Sequence, residues 1–444
     1  MNGQRYVILG AARPRSAWFA TVSQWATSSA IPAEFVKCIG TDEVVTRLAS
    51  GRAFSAVLLD GGLPGVDRNV LQAALEAGAA PIVVHDGAIR RDWQALGARA
   101  VLDPQFGRAE LLDVLASTSA LISRAEPVPI DPTPPRSDDP RSGALICVVG
   151  AGGTGTSTIA MAAAQALGQR AADDGRRIVL ADLCGRAEQA MLHDTRAIAP
   201  GLQELVQAHR TRAVGDVDAS QFCVPVHNRN YDLLMGLRRR RLWSSLRPAP
   251  TIAALQSLRV TYNTIVADCD ADLEGEDEGG SSDVEERNLL SRTATTDATV
   301  VLVVGQATLK GLHSLTRVMH DLRSFGVPES RIQPVVNYAP GSPRARAGYA
   351  TALAELCTTD AGRPERSGGP APPAPGVPAP PVFVPVRNID ECIRAGALLP
   401  PSVTDPVLAA VTYHLTTRAA QPAVSASRWR RFRTVEPTAQ ASAS

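Results

Sequence analysis

Residues 148–158 read Val-Val-Gly-Ala-Gly-Gly-Thr-Gly-Thr-Ser-Thr, and this stretch decides the fold. An apolar run over 144–149 leads into the glycines, and a small-residue run typical of a helix follows over 158–167. A glycine-rich turn between a strand and a helix directs backbone N–H groups towards an anion. The sequence therefore predicts a phosphate-binding loop, whose cofactor-binding candidates are Gly150, Ala151, Gly152, Gly153, Thr154, Gly155, Thr156, Ser157 and Thr158.

The lysine of such a loop is missing. In the usual pattern Lys precedes the Ser or Thr that meets Mg²⁺, whereas here Thr156 precedes Ser157. The chain contains 43 Arg and only 2 Lys, which could account for a change from Lys to Arg but not for a change to Thr. We therefore expect a phosphate site without its usual side-chain cation.

Short apolar runs alternate with helical patterns along the chain, which is typical of parallel sheets with crossover helices. We predict an α/β fold with a flavodoxin-like domain over residues 1–125 and a second domain with a mainly parallel sheet over 144–418. A helical stretch is expected between each pair of strands. Between and beyond the domains we place a Pro-rich linker (126–143), a Pro/Gly-rich insert (363–381) and a tail (419–444).

Composition narrows the class of protein. A length of 444 residues allows two or three domains. The formal net charge of +1 gives no general attraction to nucleic acid. The 7 Cys show no metal-ligand spacing, and no apolar run reaches membrane-spanning length. We expect a cytoplasmic protein, with peripheral contact at the inner membrane face as the only membrane alternative.

Residues 53–67 resemble the third strand and following loop of response-regulator receiver domains. The resemblance implies that Asp60 is the phospho-acceptor, with Pro64 at the usual offset. The other residues of receiver chemistry are replaced, by Gly10, Ala11, Ala12, His85 and Asp103. Asp103 stands where a lysine is needed, and a carboxylate there would repel a phospho-aspartate. We expect a receiver-like fold that serves docking or dimerisation, in which Asp60 is not phosphorylated.

Residues 144–418 resemble the deviant Walker-A ATPases of the MinD/ParA group. Joined to a receiver-like domain, they are most similar to the CpaE/TadZ branch, associated with Flp/Tad pilus assembly and septum-site relatives. The family loop reads Lys-Gly-Gly-x-Gly-Lys-Thr-Thr, and here Ala151 and Thr156 replace the two lysines. The resemblance implies ATP or ADP with Mg²⁺, which Ser157 and Asp268 would hold through nucleotide and water. Asp268 is also the catalytic candidate, at the Walker-B position.

The resemblance implies three further nucleotide-binding residues. Asp182 ends the second strand of the domain, but Cys184 replaces the following acid that positions water in the family. Asn337 matches an adenine-contacting Asn, and Arg387 lies in a later loop where the family has an acid.

Missing cations predict poor ATP hydrolysis, since phosphoryl transfer depends on positive charge around the γ-phosphate. The expected protein is a homodimeric localisation or assembly factor for pilus, secretion or septum machinery. One alternative is an active MinD/ParA-like ATPase in which Arg186 or Arg387 supplies the cation. Another is a dinucleotide-binding oxidoreductase, because residues 150–155 also fit G-x-G-x-x-G and Asp182 could bind a ribose.

Two kinds of charged segment leave further alternatives. Residues 268–286 are rich in carboxylates, and Asp268-x-Asp270-x-Asp272 hints at a calcium loop, but the later positions do not fit. We interpret the segment as an acidic surface loop. Alternatively, it could contact the basic residues 238–241 of a partner subunit. Residues 238–243 and 428–433 interleave Arg with aromatic residues and could meet an anionic surface, although we expect no nucleic-acid binding.

Overall fold

The computed structural model describes residues 5–50, 52–122, 142–172, 174–197, 199–275, 282–360, 379–387 and 389–420. Nearly all of the predicted linker and tail, and most of the predicted insert, lie outside these residues. The Arg-rich run over 428–433 also lies outside them.

The first sheet contains five parallel strands: β1 (Tyr6–Ala11), β2 (Ala33–Cys38), β3 (Ala56–Asp60), β4 (Ala80–Val84) and β5 (Ala100–Leu102). Four helices accompany them: α1 (Ala17–Thr27), α2 (Thr41–Leu48), α3 (Arg68–Glu76) and α4 (Arg108–Thr118). The spatial order is β2-β1-β3-β4-β5, which is the flavodoxin-like order. Apolar side chains are buried on both faces of the sheet, as expected when crossover helices cover both.

The prediction of a helix between every pair of strands is wrong for β4 and β5. Residues 85–99 form bends and turns instead. Gly87 and Gly97 have φ values of +77° and +118°, in the region that favours glycine and interrupts a helix. Trp93 and Leu96, both 2% exposed, fill the space against the sheet that a helix would otherwise cover.

The second sheet contains eight strands: β6 (Ala144–Gly150), β7 (Ile178–Asp182), β8 (Val224–Val226), β9 (Tyr231–Leu234), β10 (Thr264–Asp268), β11 (Val300–Gln306), β12 (Ile332–Ala339) and β13 (Val382–Pro385). Its order is β13-β12-β11-β6-β10-β7-β9-β8. Every neighbouring pair is parallel except β8 and β9. The expected α/β fold with a mainly parallel second sheet is confirmed.

Ten described helices belong to this second part: α5 (Thr156–Ala171), α6 (Gln189–Leu192), α7 (Leu202–His209), α8 (Pro248–Thr261), α9 (Ser282–Arg287), α10 (Leu289–Asp297), α11 (Leu309–Ser324), α12 (Pro343–Asp360), α13 (Asp390–Arg394) and α14 (Pro401–Ala420). Helix α5 is buried over most of its length and packs against both the sheet and α14. Its small residues allow this, because a Cβ at Gly168 would lie 2.4 Å from the Asn230 carbonyl oxygen. None of the described helices is both long enough and apolar enough to cross a bilayer.

Helix α3 connects the first sheet to the second part of the chain. Asp67, only 4% exposed, caps α3 by accepting hydrogen bonds from the amides of Asn69 and Val70. Its other carboxylate oxygen pairs with the Arg210 guanidinium at 2.6 Å. One carboxylate thus starts a helix in the first domain and holds a cation from the second.

Arg68 extends this contact through backbone atoms. Its amide donates to the Arg210 carbonyl at 3.0 Å, and its Nε donates to the His209 carbonyl at 3.1 Å. Its Nη2 donates to the Arg212 carbonyl at 3.2 Å. The carbonyl groups at the end of a helix lack intrahelical partners, so Arg68 satisfies groups that α7 leaves open.

Candidate functional site

The predicted phosphate loop lies between β6 and α5, and its glycines have distinct surroundings. Gly153 and Gly155 have φ values of +82° and +88°. A Cβ at Gly150 would lie 2.6 Å from the Val304 carbonyl, whereas a Cβ at Gly152 or Gly153 would meet no atom within 4 Å. The loop is therefore closely packed at its start and open at Gly152 and Gly153, next to the N-terminus of α5. This geometry fits an anion.

Three carboxamide side chains hold the loop from outside. Gln306 donates to the Gly153 carbonyl at 2.7 Å, and Asn337 donates to the Thr154 carbonyl at 3.0 Å. Gln189 donates to the Ser157 carbonyl at 3.0 Å. In the part of the chain that the structure describes, these are the side chains from other elements that donate hydrogen bonds to residues 150–158. All three are uncharged, so they order the loop without adding positive charge.

Thr156 occupies the place of the lysine but bonds within the loop. Its hydroxyl oxygen lies 3.0 Å from the hydroxyl oxygen of Thr154. The Thr154 hydroxyl donates to the Ala151 carbonyl at 2.7 Å. The residues at the two family lysine positions therefore supply no positive charge and no long side chain to a bound phosphate.

Two buried carboxylates lie beside the loop, at the ends of neighbouring strands. Asp182 ends β7 and Asp268 ends β10, and the strand register pairs them directly. They are 0% and 1% exposed. Gln189 connects them. Its backbone N–H donates to Asp182 at 2.9 Å, and its side-chain Nε2 donates to Asp268 at 2.8 Å. Asp268 is also near enough to Ser157 for the serine hydroxyl to donate to it.

The electrostatics of this pair disfavour two negative charges. Burial raises the pKa of Asp182 well above its ordinary value, and the neighbouring charge of Asp268 raises it further. Burial also raises the pKa of Asp268, although hydrogen bonds from Gln189 and Ser157 oppose that shift. A divalent cation would offset this repulsion. Ser157 and Asp268 are the residues that would hold Mg²⁺, through nucleotide and water.

The structure brings most of the predicted site residues together. Ser157, Asp182, Asp268 and Asn337 all lie at or beside the loop. Arg387 does not, because its hydrogen bonds go to Ser402 and the Val386 carbonyl after β13, three strands from β6. Asn337 is 6% exposed, and its amide nitrogen donates to the loop itself.

Sequence reasoning missed Gln189 and Gln306. Gln306 ends an otherwise apolar strand next to β6, and a polar residue in that place could have been noticed. Gln189 has no such signal, since it starts a four-residue helix seven positions after Asp182.

Two alternatives from the sequence lose support at this site. The carboxylate of Asp182, the ribose candidate, is fully buried and accepts from the backbone amides of Cys184 and Gln189. In the calcium-loop alternative, Asp270 accepts from the Gly185 amide, while Asp272 pairs with Arg287. Asp270 and Asp272 are thus engaged in separate contacts.

Asp60, the candidate phospho-acceptor, is enclosed by its own domain. It is 2% exposed, its carboxylate is 3.0 Å from Arg13 Nε, and it accepts from the Ser16 hydroxyl at 2.7 Å. Burial alone would raise the pKa of Asp60, but hydrogen bonds from Arg13, Ser16 and the Gly62 amide outweigh burial and hold it below its ordinary value. The guanidinium thus neutralises the carboxylate directly.

No protein-family model matches this chain, and no curated protein matches it. Solved structures do. A ParA-family ATPase from Chlorobium tepidum is 14% identical, with a TM-score of 0.46 over 62% of this chain and 99% of that one. The cell division ATPase MinD of Pyrococcus furiosus is 17% identical, with a TM-score of 0.41 over 62% and 99%. Pyrococcus horikoshii MinD, complexed with Mg-ADP, is 17% identical, with a TM-score of 0.40 over 62% and 95%.

Proposed function

We propose that this chain is a MinD/ParA-like localisation or assembly factor of the CpaE/TadZ type that holds ATP or ADP with Mg²⁺ and hydrolyses ATP very slowly. One observation carries the proposal: an open glycine loop at a helix N-terminus is ordered by three neutral carboxamides and has no lysine. Such a loop can bind phosphate through backbone N–H groups. It lacks the charge that stabilises the transferring phosphoryl group.

The size of the effect separates binding from hydrolysis. Removing one oriented donor from a charge-stabilising site costs about a hundredfold or more in rate. Here both family lysine positions are uncharged, and Cys184 replaces the water-positioning acid. Mg²⁺, when bound, would neutralise phosphate charge, with Ser157 and Asp268 orienting it. Ground-state binding needs less than catalysis does, so we expect bound nucleotide to persist.

Exposed apolar side chains at the carboxyl edge of the second sheet support a homodimer. Leu309 is 81% exposed, Val386 is 56% exposed and Tyr338 is 40% exposed. They follow or end β11, β13 and β12, whose carboxyl ends share one edge of the sheet with the loop. A second copy facing this edge would cover them. The dimer would then recruit pilus, secretion or septum machinery to a site in the cell.

Calorimetric titration with ATP and ADP, with and without Mg²⁺, tests nucleotide binding, and phosphate release on the same sample tests hydrolysis. We expect binding without steady release, and Ser157→Ala should weaken the Mg²⁺-dependent part. Thr156→Lys should raise ATP affinity about tenfold, because a charged hydrogen bond contributes roughly 1.5 kcal/mol or more. Ser244→Lys adds the same charge at an exposed site and should change nothing.

Two results would contradict the proposal. Steady phosphate release would show a working ATPase with another cation. Absence of binding at millimolar nucleotide, in both the wild type and Thr156→Lys, would leave the glycine loop as a structural turn. Light scattering on the same samples tests the dimer, which a single-chain mass with and without nucleotide would rule out.

A further inference from the structure

Three side chains with metal-ligating atoms meet beside the glycine loop. Asp182 and Asp268 end neighbouring strands, and Cys184 follows Asp182 by two residues. One ligand atom from each lies within 4.8 Å of the other two. Both carboxylates are buried, and Cys184 is half-buried. A thiol and two carboxylates therefore share a small volume at the carboxyl edge of the sheet.

A second observation concerns Gln189, which is not one of these three residues. It is 0% exposed, and its Oε1 has no hydrogen-bond partner among the described residues. Its Nε2 donates to Asp268 at 2.8 Å, so this side chain is in direct contact with the cluster. Asp268 Oδ1 is buried without a partner as well. Buried polar oxygens without partners are rare in native proteins, and these two belong to side chains that are hydrogen-bonded to each other.

The chemistry of the three residues selects the class of ligand. Two buried carboxylates call for a cation, and their hydrogen bonds come from uncharged groups: backbone amides, Gln189 and Ser157. Mg²⁺ prefers six oxygen ligands in octahedral geometry. A thiolate instead favours Zn²⁺ and similar thiophilic ions, which accept sulfur and carboxylate oxygen together.

We propose that Asp182, Cys184 and Asp268 bind a thiophilic divalent cation of the Zn²⁺ class, and that they do so without nucleotide. Binding releases the Cys184 proton to solvent as the thiolate forms its bond to the metal. The cation joins the end of β7, the following loop and the end of β10. The proposed site shares Asp268 with the proposed Mg²⁺ position, but its other two ligands, Asp182 and Cys184, need no nucleotide.

Cadmium provides a direct probe, because a cadmium–thiolate bond absorbs in the ultraviolet through sulfur-to-metal charge transfer. The full chain, reduced and free of nucleotide, is titrated with Cd²⁺. We expect one equivalent to produce the band, Zn²⁺ to displace it, and an excess of Mg²⁺ to leave it in place. Cys184→Ser should abolish the band, whereas Cys392→Ser, which alters a half-buried thiol in α13, should retain it.

A second variant keeps the thiol and removes a carboxylate charge. Asp182→Asn should retain a folded chain, judged by circular dichroism, and should require a higher Cd²⁺ concentration for the same band. Persistence of the band in Cys184→Ser, its displacement by Mg²⁺, or its absence from the wild type would overturn the proposal. Because no nucleotide is present, none of these outcomes bears on whether ATP or ADP binds.

Discussion

At the scale of single residues, Asn337 shows how a side chain can suit one role by position and another by contact. Its place after the apolar residues of β12 matched an adenine contact, yet its amide nitrogen donates to the Thr154 carbonyl. A Cβ at Gly155 would come within 2.4 Å of that same nitrogen. Asn337 therefore supports the loop from β12, and it needs glycine at position 155 to do so.

We expect Asn337→Ala to lower the free energy of unfolding by about 1–3 kcal/mol, because a buried carbonyl group loses its donor. Urea denaturation measures this change. Asn228→Ala is the matched control, since its amide also donates to a carbonyl, that of Gly396, but the residue is exposed. Equal losses of unfolding free energy in the two variants would show that the contact to Thr154 stabilises the fold no more than an exposed hydrogen bond does.

Some of the site could be predicted residue by residue. The spacing of small residues over 150–158 predicted the loop, and the family resemblance pointed to Asp182 and Asp268, each at the end of an apolar run. The carboxamides could not be predicted in the same way. The side chains of Gln189 and Gln306 donate hydrogen bonds to carbonyl groups that are remote in sequence. Such contacts leave no periodic pattern in the sequence.

At the scale of elements, the contact between α3 and the end of α7 depends on the carboxylate of Asp67, which makes two different interactions. Asp67 caps α3 through backbone amides and pairs with Arg210. The helix cap and the ion pair can be tested separately, because an amide side chain can still cap a helix but cannot form an ion pair.

We expect Asp67→Asn to weaken the contact while preserving α3, and Asp67→Ala to damage both. The second change should cost about 1 kcal/mol more, the usual contribution of a helix cap. Urea denaturation measures the free energy of unfolding. The rate of proteolytic cleavage at the contact between α3 and the end of α7 measures how firmly the two helices are held together. If both variants lose the same stability, the cap contributes nothing here. Arg210→Ala should match Asp67→Asn in docking.

The element pattern itself was largely predictable, with two informative exceptions. Apolar runs identified the parallel strands, because both faces of such sheets are buried. Strand β8 was missed because Val224–Val226 is short, contains Pro225 and lies at the sheet edge. The helix expected within 85–99 fails for a different reason, since two glycines with positive φ interrupt it.

At the scale of the whole molecule, buried histidines connect stability to pH. His209 is 0% exposed. Burial, together with the nearby charge of Arg68, lowers the pKa of His209 to about 4. Burial also lowers the pKa of His193 to about 4. In the unfolded chain both would titrate near the ordinary value of about 6.5.

The direction in which stability changes with pH follows from the number of protons that each state binds. Between about pH 6.5 and pH 4 the unfolded chain binds protons that the folded chain excludes, so stability falls as the pH is lowered through this range. A shift of this size corresponds to about 3 kcal/mol per histidine at most. His209→Phe should flatten the dependence of the urea midpoint on pH. His227→Phe alters an exposed histidine and should leave it unchanged. Identical slopes in His209→Phe and the wild type would contradict the assignment.

Among the residues that the structure describes, Arg68 donates hydrogen bonds only to main-chain oxygen atoms, those of His209, Arg210 and Arg212. The side chains at those positions are thus free to diverge without loss of its three hydrogen bonds, provided that α7 ends at the same residue. An insertion or deletion of a single residue before position 209 would instead rotate the carbonyl groups away. For this part of the contact, natural selection would act on the length of α7 more strongly than on the composition of its last turn.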